Sequence, residues 1–123
     1  MARKKILVVD DSGTARMMEQ VALVRSAYDV VQAKDGAEAV HVARRELPDL
    51  ILMDVMMPNM DGFAACAAIR EQDETKAIPV IMVTTRGEPV NVEAGYANGC
   101  NDYVTKPVNT LELLTKVRNL IGE

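Results

Sequence analysis

The 123-residue sequence predicts an α/β fold, in which a parallel sheet is covered on both faces by helices. Short, almost entirely apolar runs alternate along the chain with longer segments whose apolar residues recur every three or four positions. Uninterrupted apolar runs are typical of parallel strands buried on both faces, and the longer spacing is typical of amphipathic helices. Because this length is close to the usual size of one domain, we expect a single domain over residues 1–123.

Five segments have the length and composition of buried strands. Four are interpreted as short apolar runs, and the second in chain order is less apolar. They are residues 5–9, 29–33, 49–53, 79–83 and 102–105. A short strand is the expected element because each run has the length of a strand that is buried in a sheet.

The intervening segments predict five helices, over residues 13–26, 37–47, 62–72, 88–98 and 111–121. In the first, the spacing of Met17, Val21 and Val24 predicts the side that packs on the sheet. The fourth contains proline, asparagine and glycine, which are weak helix formers. A short helix is therefore expected there, stopped by Gly99.

Composition and charge exclude several classes of protein. The formal net charge of −4 argues against a nucleic-acid partner, which normally meets a clustered basic surface. No apolar run approaches the roughly 20 residues of a membrane span, so no membrane partner is expected. The apolar run that begins at Ile6 is too short for a signal peptide, which favours a cytoplasmic location. Cys66 and Cys100 lack metal-ligand spacing and are expected to be buried thiols.

Polar side chains follow four of the five predicted strands. They are Asp10 and Asp11 after the first, Asp54 after the third, Thr84 and Thr85 after the fourth, and Lys106 after the fifth. The carboxyl ends of parallel strands meet at one edge of the sheet, where ligands of such folds bind. We therefore expect these side chains to lie together.

Three carboxylates at one edge repel one another unless their charge is neutralised. Lys106 supplies one positive charge, and a divalent cation would supply the rest. An all-oxygen site suits Mg²⁺, which usually shares its ligand shell with water and phosphate. A carboxylate nucleophile beside a cation, a lysine and a hydroxyl suits phosphoryl transfer.

Four motifs resemble those of the receiver domain of two-component response regulators: VVDDS at 8–12, LMDVMMPNMDG at 52–62, VTT at 83–85 and DYVTKP at 102–107. The resemblance covers the whole chain. It implies a flavodoxin-like (βα)5 fold with strand order 2-1-3-4-5, an order for which the chemotaxis receiver is a standard example.

The resemblance also implies a function. A sensor histidine kinase or a phosphotransfer protein would donate a phosphoryl group, and the chain would catalyse only its own phosphorylation and dephosphorylation. Phosphorylation would change a surface made by the fourth helix, the fifth strand and the fifth helix. That surface would bind a downstream target protein.

Individual roles follow from the same resemblance. Asp54 corresponds to the phospho-acceptor. Asp11, Asp54 and the backbone carbonyl of Met56 correspond to direct Mg²⁺ ligands, and Asp10 acts through water. Lys106 corresponds to the lysine that pairs first with Asp54 and then with the phosphoryl group.

The remaining roles concern switching and phosphoryl lifetime. Thr84 corresponds to the switch hydroxyl and Tyr103 to the switch aromatic residue. Met56 and Arg86 occupy the two variable positions that tune phosphoryl lifetime in the family. A cis peptide bond is implied between Lys106 and Pro107, and Thr85 departs from the small residue usual at its position.

Two other functions compete with this interpretation. A phosphatase of the haloacid dehalogenase type also uses a strand-end aspartate and Mg²⁺, but it requires an Asp-x-Asp spacing where this chain has adjacent Asp10 and Asp11. A receiver-like domain that works without phosphorylation would be expected to lack a key acidic or lysine position, and all are present. The phosphoryl-accepting receiver is therefore the favoured hypothesis.

Overall fold

The computed structural model describes residues 3–85 and 91–122. Strands and helices alternate along the chain, as the sequence predicts. The strands are β1 (Lys5–Val9), β2 (Asp29–Ala33), β3 (Leu50–Asp54), β4 (Val80–Thr85) and β5 (Asp102–Lys106). The helices are α1 (Gly13–Arg25), α2 (Gly36–Glu46), α3 (Gly62–Glu71), α4 (Val92–Ala97) and α5 (Thr110–Ile121).

The five strands form one parallel sheet in the order β2-β1-β3-β4-β5, which confirms the predicted fold class and strand order. Successive residues of a strand point to opposite faces, so each strand contributes to two cores. Leu7 and Ile51 belong to the core under α2 and α3. Ile6 and Leu52 belong to the core under α1 and α5. The apolar strands are thus buried on both faces.

Three strands reach further along the chain than predicted. β3 includes Asp54, β4 includes Thr84 and Thr85, and β5 includes Lys106. Each of these polar residues has a partner in register on the adjacent strand, so strand pairing extends through it. Asp54, for example, pairs with Val83. The polar side chains therefore stand at the last rung of the sheet rather than in the loops beyond it.

The predicted buried side of α1 is wrong. Met17, Val21 and Val24 are 64%, 49% and 45% exposed, whereas Glu19 and Leu23 are buried. Apolar residues occur on both sides of this helix, so their spacing alone does not identify the side that meets the sheet. Leu23 is buried because it packs in the core under α1 and α5, and Glu19 lies one turn before it on the same side of the helix.

The fourth helix is short, as expected. α4 covers Val92–Ala97 and is followed by Gly99 at φ +102°, a conformation that favours glycine and stops the helix. The start of the helix predicted over 88–98 lies outside the described residues. Cys66 and Cys100 are buried free thiols, which agrees with the sequence interpretation.

Gly62, the first residue of α3, controls how closely that helix approaches the end of β3. A Cβ atom there would lie 2.4 Å from the backbone oxygen of Asp54. The Gly62 amide also donates to the Val55 carbonyl at 2.8 Å. The glycine thus lets the helix pack directly on the strand end that carries Asp54.

Gly62→Ala should lower the free energy of unfolding by about 1–3 kcal/mol, because the new methyl group overpacks rigid backbone. Gly13→Ala is the matched control: Gly13 is also the first residue of a helix, but its Cβ would meet nothing closer than 3.6 Å. The control should be neutral or stabilising by about 0.4–1 kcal/mol. Urea unfolding of both variants measures the difference, and equal effects would contradict this role of Gly62.

Candidate functional site

Three aspartates form an acidic cluster at the carboxyl edge of the sheet. Asp10 follows β1, Asp11 comes next, and Asp54 ends β3. Carboxylate oxygens of all three lie within 4.8 Å of one another. Asp10 and Asp54 are buried and Asp11 is exposed, so one side of the cluster opens to solvent. The register explains the proximity, because β1 and β3 are paired neighbours up to the rung before Asp54.

Lys106 reaches the cluster from the end of β5. Its Nζ lies 2.6 Å from Asp10 Oδ2 and 3.6 Å from Asp54 Oδ2. β4 separates β5 from β3, so the long lysine side chain crosses the end of β4 to make these contacts. The Lys106–Pro107 peptide bond is cis, as the resemblance implied.

Backbone and side-chain donors fix Asp10 in place. Its Oδ1 accepts a hydrogen bond from the Ser12 amide at 2.9 Å, and its carbonyl accepts one from Arg16 Nη1 at 2.5 Å. Ser12 also caps α1 by accepting from the Ala15 amide. The start of α1 therefore determines where the Asp10 carboxylate points.

The cluster carries more negative charge than Lys106 can balance. Three carboxylates and one ammonium leave a formal charge of −2. Burial alone would lower the pKa of Lys106, but the hydrogen bond to Asp10 and the charges of Asp54 and Asp10 outweigh it and raise the pKa. Lys106 is therefore a cation at neutral pH. A divalent cation bound by carboxylate oxygens would offset the remaining charge, which is the donor chemistry that Mg²⁺ prefers.

The other residues that the sequence predicts for the site are not members of this acidic cluster. Thr84 is half-buried and follows Val83, which pairs with Asp54 in the sheet. Met56 is 59% exposed, two residues beyond Asp54. Arg86 lies outside the described residues. Tyr103 lies on β5 but packs against α4, away from the carboxylates.

Tyr103 fits into a space made by the absence of a side chain on α4. Its hydroxyl donates to the Val92 carbonyl at 3.1 Å, and its ring meets Tyr96 edge to face at 5.4 Å. A Cβ on Gly95 would lie 1.7 Å from the Tyr103 hydroxyl oxygen. Only glycine at position 95 therefore permits this placement of the ring. In the sequence Gly95 is only a weak helix former, and its packing role was not predicted.

Glu19 is a second residue whose position was not predicted from the sequence. It lies on the buried side of α1, is 6% exposed, and its Oε1 accepts no hydrogen bond from the part of the chain that the structure describes. Burial, with repulsion from Asp10 and Asp54 partly opposed by Lys106, raises the pKa of Glu19 to about 8. The sequence offers only the spacing of Glu19 four residues before Leu23, and the apolar residues on the other side of α1 predict the wrong buried side.

Similarity to known proteins assigns the chain to a family. The sequence matches the family described as the response regulator receiver domain over residues 6–118. The chain belongs to the response regulator receiver family. It therefore functions as a phosphoryl-accepting receiver in two-component signalling.

Solved structures support the assignment of the receiver. The chemotaxis protein CheY4 of Vibrio cholerae is 37% identical, with a TM-score of 0.90 over 97% of this chain and 99% of that one. The receiver domain of a sensor histidine kinase from Pseudomonas aeruginosa is 33% identical, with a TM-score of 0.90 over 99% of this chain and all of that one. That neighbour was crystallised with a magnesium ion coordinated in its active-site cleft.

The receiver also resembles parts of longer proteins. The alkaline phosphatase synthesis transcriptional regulatory protein PhoP of Bacillus subtilis is 41% identical over 118 residues, which are 96% of this chain and 48% of that protein. The receiver thus spans about half the length of the first curated relatives that it matches. Within the described ranges, none of its helices combines the length and apolar character needed to cross a bilayer.

Glu19→Gln should stabilise the receiver in a pH-dependent manner. Between pH 4.5 and about 8 the folded state keeps a proton on Glu19 that the unfolded state has lost, so the parent loses stability as pH rises through this window. The advantage of the variant should grow from near zero at pH 4.5 to a few kcal/mol above pH 8, because one pKa unit corresponds to about 1.4 kcal/mol.

Urea unfolding at several pH values in EDTA measures this advantage, since a bound cation would weaken the repulsion from the aspartates. Glu112→Gln is the control, because Glu112 is an exposed helical glutamate. A pH-independent difference between Glu19→Gln and the parent would show that Glu19 titrates as an ordinary carboxyl group.

Proposed function

We propose that the receiver accepts a phosphoryl group from a phosphohistidine onto Asp54, with Mg²⁺ bound at the acidic cluster. The observation that carries this proposal is the joint position of Asp54, its two acidic neighbours and Lys106 at one edge of the sheet. Asp54 supplies the nucleophilic oxygen, and Lys106 supplies a cation within 3.6 Å of that carboxylate. The phosphorylation-independent alternative is not favoured, because no charged group that the chemistry needs is missing.

The proposed transfer moves one phosphoryl group between two proteins. A carboxylate oxygen of Asp54 attacks phosphorus, a P–O bond forms and the P–N bond to the donor imidazole breaks. The imidazole leaves and takes up a proton. Water later attacks the phosphorus, the P–O bond to Asp54 breaks, inorganic phosphate leaves and the carboxylate is regenerated. In this proposal the receiver catalyses only its own phosphorylation and dephosphorylation.

The residues present fit a magnesium ion. Asp11, Asp54 and the Met56 backbone carbonyl would hold it directly, and Asp10 would act through water, because the Asp10 carboxylate already binds Lys106 and the Ser12 amide. When bound, Mg²⁺ offsets the negative charge that gathers on phosphoryl oxygens. Lys106 contributes the remaining positive charge and moves from the carboxylates towards the phosphoryl group.

The output of the proposed switch is contact with another protein. Thr84 would donate its hydroxyl to a phosphoryl oxygen, and a charge-assisted hydrogen bond of about 1.5–3 kcal/mol biases a two-state loop roughly tenfold or more. The target would contact the face made by α4, β5 and α5, where Tyr103 lies. The proposal also includes a single receiver domain over residues 1–123 and a cytoplasmic location. The proposed target is a protein and not a nucleic acid.

Asp54→Asn should abolish phosphorylation by a small-molecule donor such as acetyl phosphate, because the amide oxygen is a poor nucleophile. Intact mass spectrometry follows the added phosphoryl group in Mg²⁺ and in EDTA. Asp61→Asn is the matched control, since Asp61 caps α3 with its side chain and asparagine caps equally well. Labelling of Asp54→Asn, or equal labelling of the parent in EDTA, would refute the assignment.

Met56→Asn should shorten the lifetime of the acyl phosphate. The apolar side chain of Met56 is exposed beside the proposed acceptor and cannot orient an attacking water, whereas an amide can. Loss of the phosphoryl group after donor removal, followed by mass, gives the lifetime, and Met56→Leu is the apolar control. Equal lifetimes for all three proteins would remove Met56 from the residues that tune hydrolysis. Arg86 is proposed as the second such residue.

Gly95→Ala should displace Tyr103 from α4 before any phosphorylation, because the added methyl group occupies the place of the phenol oxygen. In the parent, beryllofluoride should shift the NMR signals of Tyr103 and α4. In the variant these signals should already differ without beryllofluoride and respond less to it. Ala97→Gly reverses the exchange at an exposed position of the same helix and should leave Tyr103 unchanged. A parent-like response in Gly95→Ala would exclude the proposed movement.

A further inference from the structure

A pocket of about 210 Å³ opens between α1 and the segment that joins β5 to α5. Its walls are mostly apolar and include Ala15, Ala22, Val108 and Leu113. Glu19 and Lys106 also line it. The pocket is smaller than the roughly 300–1,000 Å³ that holds a drug-sized ligand, so it suits a ligand of a few non-hydrogen atoms.

Glu19 is out of place in these apolar surroundings. Its side chain is more than nine-tenths buried, and no donor in the described ranges reaches its Oε1. Burial of a carboxylate without a partner is costly, and a cation delivered into the pocket would recover part of that cost. The carboxyl group therefore favours a ligand that brings its own positive charge.

The groups that face Glu19 also favour a cation. Asp10 at the end of β1 and Asp54 in β3 add negative charge nearby, and Lys106 in β5 is the one positive group among these neighbours. The Lys106 ammonium is already held 2.6 Å from Asp10. A second cation at Glu19 would meet an excess of carboxylates, whereas an anion would be repelled.

We propose that this pocket binds a small aliphatic ammonium ion, with the ammonium group at the Glu19 carboxylate and the carbon chain against the apolar walls. An ammonium ion has donors for the Glu19 carboxylate, whose buried Oε1 would turn toward the pocket by rotation of the side chain, and a short alkyl chain matches the remaining walls. The pocket shares Lys106 with the proposed phosphoryl transfer, but no step of that transfer uses Glu19.

The probe is n-butylammonium, titrated into the receiver in EDTA, so that the charges of Asp10 and Asp54 act on Glu19 as they do in the metal-free protein. Methyl NMR signals of Ala15, Ala22 and Val108 report on the pocket. At pH 8.5 we expect saturable shifts of these signals. n-Butanol, which has the same chain without the charge, should bind roughly tenfold or more weakly, since a charge-assisted hydrogen bond is lost.

Two variants separate charge from shape. Glu19→Gln removes the charge, Ala22→Leu fills the pocket and leaves the carboxyl group intact, and each should weaken n-butylammonium binding roughly tenfold or more. Glu112→Gln removes an exposed charge from α5 and should bind like the parent. Ala22→Leu keeps the test valid if Glu19→Gln does not fold.

Lower pH should also weaken binding, because protonation of Glu19 removes the charge that the ammonium requires. The parent should therefore bind less well at pH 6.5 than at pH 8.5, and Glu19→Gln should show no such change. Non-saturable shifts, equal binding of n-butanol, unchanged binding by both pocket variants, or shifts centred on the amides of Asp10 and Asp11 would each overturn the proposal.

Discussion

The ion pair between Asp10 and Lys106 is the interaction on which the site depends. It joins the end of the first strand to the end of the last one, across a sheet in which β1 and β5 are not neighbours. Removal of one partner of a buried pair typically costs about 3–5 kcal/mol, because the other charge is left without compensation. Lys106 is held within reach of Asp54 only while this pair and the turn after β5 keep their geometry.

Because of the same ion pair, a change of charge at Asp54 would strongly affect Asp10 and Lys106. Asp10, Asp54 and Lys106 are largely buried, so each added or removed charge is felt strongly by the others. A phosphoryl group on Asp54 would compete with Asp10 for the lysine. The placement of Tyr103 over Gly95 is a second, separate arrangement that a small shift could disturb, because it depends on a space the size of one methyl group. Coupling between the two is the proposed switch.

The sequence predicts most of this site because its chemistry depends on strand ends. Apolar runs locate the strands, parallel pairing brings their carboxyl ends together, and Asp10, Asp54 and Lys106 are the polar residues found there. The strand boundaries were less accurate, because ladder pairing extends through Asp54 and Lys106 despite their polarity.

Features set by tertiary contacts were not predictable. The side of α1 that is buried depends on α5 and the sheet, not on the apolar spacing of Met17, Val21 and Val24. Glu19 was missed for the same reason. Gly95 carries no local signal for its role, since the group that needs its missing side chain is Tyr103, on the neighbouring strand β5.

A divalent cation bound at Asp11 and Asp54 is proposed to balance the excess negative charge of the acidic cluster. The most direct test is the unfolding temperature of the receiver as Mg²⁺ is raised at constant ionic strength. A cation that binds only the folded state stabilises it by RT ln(1 + [L]/Kd), so the unfolding temperature should rise with Mg²⁺ in the parent. It should rise much less in Asp11→Asn. An unfolding temperature that does not depend on Mg²⁺, or depends on it equally in both proteins, would contradict the account.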